Sequence, residues 1–176
     1  PLYYLGAIYE AAMEHHKGKA LLWGRPGYVG IQRFPVQWSG DPHSTFEDMA
    51  CVLRGGLSYS LSGVPFWSHD IGGFQRGTWE SQEKPSKALY VRWAQWGLLS
   101  SHSRCHGTTP REPWEYGEEA LKIFRQYTKL RYSLLPYLYS YAVEASKTGL
   151  RLIRPLILEY QDDPAVRFID SEYLLG

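Results

Sequence analysis

Apolar residues recur along this chain in two alternating rhythms. Leu2, Leu5, Ile8, Ala12 and Met13 fall on one face of a helix, which predicts a helix over Leu2 to His16 that Gly18 stops. The short apolar run Ala20-Leu21-Leu22-Trp23 then reads as a strand entering Gly24-Arg25-Pro26-Gly27. A second strand, Pro35-Val36-Gln37-Trp38, opens into Ser39-Gly40-Asp41. Ser44 and Glu47 have capping-box spacing, in which each side chain reaches the other residue's free backbone N–H. Phe46, Met49, Ala50 and Leu53 follow on one face, Gly55-Gly56 is expected to end that helix, and Leu57 to Leu61 reads as a further helical stretch. A third strand, Val64-Pro65-Phe66-Trp67, runs into Ser68-His69-Asp70-Ile71-Gly72-Gly73-Phe74. A polar insert, Gln75 to Lys84, separates it from a helix over about Ser86 to Trp96 whose Leu89, Trp93 and Trp96 share a face. Gly97-Leu98-Leu99-Ser100 reads as a fourth strand with His102, Arg104 and His106 at its end. A long helix over about Gly117 to Lys147 is expected to kink at Pro136, which lacks the N–H that position would donate. Beyond Gly149, Leu150 to Tyr160 reads as a strand, with Asp162-Asp163-Pro164 as a turn.

Strands that alternate with helices and end in polar loops are the pattern of repeated βα units. A complete (β/α)₈ TIM barrel takes about 250 residues, so four such units over residues 1–149 make half of one. The expected fold class is therefore α/β: half of a TIM barrel over residues 1–149, followed over residues 150–176 by the start of a β-rich domain. The chain begins at Pro1 with its helical stripe already under way and stops abruptly after Leu174-Leu175-Gly176, so a piece of a longer protein is expected. Half a barrel leaves unpaired backbone groups at two strand edges, and either self-association or pairing with the other half follows.

Charge removes several function classes. The 19 basic and 18 acidic residues are interspersed, with a net charge of +1, which argues against nucleic-acid or membrane-surface binding. No apolar run approaches the ~20 residues that span a bilayer. Cys51 and Cys105 form no Cys-x-x-Cys pair or zinc spacing, so no disulfide framework, metal or organic cofactor is expected, and a cytoplasmic location is slightly favoured. The aromatic content is 15%, with 7 Trp and 14 Tyr, which suits stacking against the flat faces of sugar rings but also a large core.

In such barrels the working residues come from the C-terminal ends of successive strands. Arg25, Asp41, Asp70 and His106 each lie at such an end. A cation, two carboxylates and an imidazole converging on one rim could hold a polyhydroxylated ligand and move a proton to it. Each has a plainer reading: Asp41 as a loop or capping residue, Asp70 fixing a turn, His106 as a structural histidine, Arg25 as a surface ion-pair partner, and Trp38 and Trp67 as core.

Arg25-Pro26-Gly27-Tyr28-Val29-Gly30-Ile31-Gln32-Arg33-Phe34-Pro35-Val36-Gln37-Trp38-Ser39-Gly40-Asp41 resembles the acid/base segment of glycoside hydrolase family 31. Phe66 through Phe74, Ser101 through Gly107, Glu112-Pro113-Trp114, and Arg131 through Tyr139 continue the resemblance in order. It implies the C-terminal half of the catalytic barrel of a retaining α-glycosidase acting on an α-linked oligosaccharide or glycoside. By that resemblance Asp41 is the general acid/base, Arg25, Asp70 and His106 hold sugar hydroxyls, and Trp38 and Phe74 wall the ring. The family's nucleophile, an Asp ending the fourth barrel strand, has no counterpart here. A dyad of Asp41 with Asp70 is the structural alternative. Ser68-His69-Asp70 and Ser101-His102-Ser103-Arg104 look more like the family's α-xylosidases than its α-glucosidases. An α-glucosidase and a non-catalytic carbohydrate-binding relative stay open beside that reading.

Overall fold

The structure, a computed structural model, describes residues 1–25, 27–34, 36–76 and 83–176. Pro26, Pro35 and most of the expected 75–84 insert therefore lie outside the described residues. Three short strands, β1 (Trp23–Gly24), β2 (Val36–Trp38) and β3 (Phe66–Ser68), pair in parallel in the order β1-β2-β3. Trp23 sits opposite Val36, and Val36, Gln37 and Trp38 sit opposite Phe66, Trp67 and Ser68. A parallel bridge between Asp70 and Arg104 carries the wall one stave further. Parallel neighbours require long crossovers, and helices supply them. The α/β class and the consecutive staves expected from the sequence are what the chain forms.

The helices are α1 (Leu2–His15), α2 (Phe46–Leu61), α3 (Lys87–Leu98), α4 (Glu118–Ser133) and α5 (Leu135–Thr148). The break between α4 and α5 falls at Leu134, with Pro136 in the first turn of α5, so the expected kink is present. None of the helices among the described residues is long and apolar enough to cross a membrane.

Four local expectations change. The cap of α2 is Thr45, not Ser44: its hydroxyl accepts from Asp48 N, while Asp48 Oδ2 accepts from His43 N at 2.5 Å. Gly55-Gly56 does not end a helix, because α2 runs through it to Leu61. A methyl added at Gly56 would stand 1.9 Å from Trp67 Cζ2, so this glycine makes room for an indole. The expected fourth strand at Gly97–Ser100 is instead the end of α3 and its turn. Gly97 is again a packing glycine, where a methyl would meet Ile71 Cγ1 at 2.5 Å. Lastly, the strand expected over 150–160 is only β4 (Ile153–Arg154), antiparallel to β5 (Leu174–Leu175). Pro155 has no N–H to extend the ladder, and a 3₁₀ turn over Leu156–Leu158 follows. The expected turn at Asp162–Pro164 is present as a cap, with Asp163 Oδ1 accepting from Ala165 N at 2.9 Å.

Burial is organised around α3. Leu89, Trp93 and Trp96 pack with Leu5, Ile31, Phe34, Val64 and Trp67, while Tyr90 and Ala94 pack with Ile71, Tyr116 and Ala120. Tyr90 stacks on Tyr116 at 3.8 Å. Arg131 on α4 donates to the carbonyls of Leu98, Ser100 and Ser101, which satisfies the orphan acceptors where α3 ends.

Candidate active site

The loops that leave β2, β3 and the Arg104 stave are stapled to one another by backbone. Phe74 N and Gln75 N both donate to Pro42 O at 2.9 Å, and Thr108 N donates to Phe74 O at 2.8 Å. Gly72 and Gly73 both have positive φ, which an L side chain adopts only with strain, and a Cβ on Gly73 would meet His43 O at 2.7 Å. The Ile71-Gly72-Gly73 run is therefore a tight, closely packed turn that delivers Phe74 beside the Asp41 loop.

Arg111 locks this arrangement from beneath. It is only 3% exposed. Its guanidinium donates to Gly73 O (3.0 and 2.8 Å), Thr109 O (2.9 Å) and Ser44 Oγ (3.1 Å), and that hydroxyl donates onward to Gln75 O. The sequence gives such an arginine no local signature, since its partners are carbonyls made available only by folding. Arg111 is one side chain of the site's frame that sequence reasoning missed.

On this frame the six candidate side chains form one connected group. Arg25 Nη2 lies 3.7 Å from Asp41 Oδ2. The Arg25 guanidinium stands 5.0 Å from the Trp38 ring centre. Trp38 meets Phe74 edge-on at 6.4 Å, and Phe74 meets His106 at 5.3 Å. Asp70 is wholly buried, and its Oδ1 accepts from Arg104 Nε at 2.5 Å. Burial pushes the Asp70 carboxyl above the usual carboxylate range, while Arg104, His106 and the Trp38 indole N–H pull in the opposite direction. Asp41 Oδ1 is buried and has no hydrogen-bond partner among the described residues.

Arg104 is the second residue missed. Its guanidinium lies between two indoles, 4.9 Å from the Trp23 centre and 4.8 Å from that of Trp38. The available signal was its place beside His106 at a strand end, which sequence reading credited to the imidazole alone.

His69, next to Asp70, faces away into the core. It is 1% exposed and stacks on Trp96 at 3.7 Å. An indole N–H can only donate, so His69 Nδ1 accepts from Trp93 Nε1 (2.9 Å) and the ring proton lies on Nε2, toward Ser100 Oγ (3.1 Å). Burial pushes its pKa down to about 3, so the ring is neutral.

A cavity of about 450 Å³ opens between the end of β2 and α2, lined by Arg25, Trp38, Ser39 and Pro42 on one side and Cys51 and Tyr59 on the other. A second, of about 380 Å³, adjoins His106 and is walled by Thr108, Arg111 and Glu112. Neither of these two is lined by the Asp41 or Asp70 side chain. Cys51 and Cys105 are free. Among the described residues no group of three or more His, Cys, Asp or Glu side chains is placed to hold a metal.

Residues 1–141 match the family model described as the glycosyl hydrolases family 31 TIM-barrel domain. The chain belongs to glycoside hydrolase family 31. Its similarity to an α-xylosidase of Emericella nidulans is 44% identity over 99% of this chain and 22% of that protein. An α-glucosidase of Saccharolobus solfataricus is 37% identical over 100% of this chain and 26% of its own length. A family 31 α-xylosidase from a soil metagenome, solved with xylose, superposes with a TM-score of 0.88 at 30% identity, over 98% of this chain and 29% of that one. The chain thus spans about a quarter of the length of these family 31 relatives, and its parallel staves are part of a TIM-barrel wall.

Proposed function

We propose that this chain supplies the acid/base side of a retaining α-glycoside hydrolase, with Asp41 as the general acid/base. One observation carries the reading: at a barrel rim, the Asp41 carboxylate leaves one oxygen buried and unpartnered while the other faces Arg25. A retaining enzyme brings a second carboxyl to about 5–5.5 Å from the first. That nucleophile belongs to a barrel segment outside this chain, and Asp70 is not it, because its Oδ1 is committed to Arg104 inside the protein. Asp41 then gives its proton to the departing glycosidic oxygen and afterwards takes one from the water that frees the sugar. Arg25, Asp70 and His106 hold hydroxyls, and Trp38 and Phe74 wall the ring. Residues 1–149 form the C-terminal half of the catalytic barrel, and residues 150–176 begin a β-rich domain. The open strand edges pair with the rest of the barrel or with a second copy.

The preferred substrate is a terminal α-xylosyl residue. The 44% identity to the Emericella nidulans α-xylosidase supports this, and so does the Ser68-His69-Asp70 form. In the full-length enzyme, Asp41→Ala is expected to lower kcat/KM about 10²–10⁴-fold on glycosides with poor leaving groups. Activated p-nitrophenyl glycosides, which need little protonation, should lose far less. Equal losses on both would remove Asp41 from the acid role. Faster hydrolysis of p-nitrophenyl α-glucoside than of the xyloside would select the α-glucosidase reading. The 176-residue chain alone should hydrolyse neither.

A further inference from the structure

We propose that Arg104 is the positioning residue of this rim: it fixes the buried Asp70 and, through the Trp38 indole, sets Asp70 and Asp41 relative to each other. Five side chains form an alternating stack, Asp41, Arg25, Trp38, Arg104 and Asp70. The steps are 3.7 Å between the first pair, 5.0 and 4.8 Å from the two guanidiniums to the indole centre, and 2.5 Å between the last pair. Trp23 closes the stack on Arg104 at 4.9 Å.

Three features make Arg104 the fixed member. Its planar group is held between two rings, a geometry that lysine's ammonium does not reproduce. Its carbonyl accepts from Ile71 N at 3.2 Å, so backbone as well as side chain holds the Asp70 turn. And Asp70 has no exposed surface, so a carboxylate there depends on a partner that stays in place. The Trp38 indole N–H is the other donor facing the Asp70 carboxyl, whose Oδ2 is buried. Arg104 decides where that oxygen stands. This inference rests on the reading that the rim binds a sugar.

The test compares wild type with Arg104→Lys and Arg104→Met in the full-length enzyme. It takes kcat and KM for p-nitrophenyl α-xyloside between pH 4 and 8, with circular dichroism to establish the folded fraction. The groups facing Asp70 are Arg104, His106, the Trp38 N–H and Arg111, beside the neutral His69. With Arg104 removed, less opposes the burial of Asp70, so its charged form requires a higher pH. Arg104→Met should raise KM at least tenfold near pH 5, with partial recovery toward pH 8, at a higher pH than any corresponding change in wild type. Arg104→Lys should keep the wild-type pH profile with a KM a few-fold higher. Losses that merely track the folded fraction, with an unchanged pH profile, would overturn the proposal. A wild-type enzyme without glycosidase activity would instead refute the functional reading. Arg104 is then still tested by carboxyl ¹³C NMR of Asp70: a midpoint higher in Arg104→Met than in wild type supports the proposal, and identical midpoints sink it.

Discussion

On one side of Trp38, Asp41 and Arg25 meet at 3.7 Å with 27% and 61% of their side chains exposed; on the other, Asp70 and Arg104 meet at 2.5 Å with 0% and 29% exposed. The same two chemical groups are thus built into opposite environments. Water screens the first pair and holds it weakly. The second pair is shielded, so separating it strands a charge in the interior. The roles proposed for Asp41 and Asp70 call for one carboxylate of each kind.

Deleting one partner of the shielded pair is the strongest way to break this contrast. Arg104→Ala, which leaves the wholly buried Asp70 carboxylate without its partner, is expected to destabilise the full-length protein by about 3 kcal/mol, measured by urea unfolding. Asp41→Ala should change stability far less, and equal effects would erase the distinction. Next comes His69→Phe, which preserves a ring on Trp96 but leaves Trp93 Nε1 and Ser100 Oγ without their shared partner; a loss of about 2 kcal/mol is expected.

The same histidine gives a pH test. Its pKa is about 3 in the folded chain against an ordinary 6.5, so below pH 6.5 the unfolded state binds a proton that the folded state refuses. Stability from this group is therefore full above pH 6.5 and declines as pH falls toward 3, by about 1.4 kcal/mol per unit. The difference in urea midpoint between wild type and His69→Gln should narrow along that slope, and a constant difference would show that the ring is not held neutral. The smallest effect belongs to the open pair: Arg25→Ala should shift stability by less than about 1 kcal/mol while weakening glycoside binding, read from melting temperature and KM.

Much of the rim was legible before folding because strand ends are chemically marked. Asp41 and Asp70 closely follow the apolar runs of β2 and β3, and the parallel pairing of those staves brings the two ends together, whereas His106 was read from a strand over 97–100 that is helix and turn. The helical face of Leu89, Trp93 and Trp96 was equally plain and lies in the core as read. What escaped depends on partners distant in sequence. Gly55-Gly56 and Gly97 carry the local mark of helix ends, yet Gly56 and Gly97 answer to Trp67 and Ile71, residues that reach them only through tertiary packing. The cap of α2 shifted by one residue because the Ser44 hydroxyl was already engaged by Gln75 and Arg111. Arg104 and Arg111 were passed over because an arginine's role is written in its acceptors, and those lie 34 and 38 residues away, at Asp70 and Gly73.

The seat of Trp67 on Gly56 reaches further than packing. Trp67 immediately precedes Ser68-His69-Asp70, and the opposite end of the helix that bears Gly56 begins just after Pro42, whose carbonyl pins Phe74. A side chain introduced at position 56 would act as a lever, tilting one end of that rod and transmitting the movement to both carboxylate loops. Anyone re-engineering this rim should therefore treat Gly56, which lines the cavity beside Arg25 and Trp38, as part of the frame and keep it out of randomised libraries.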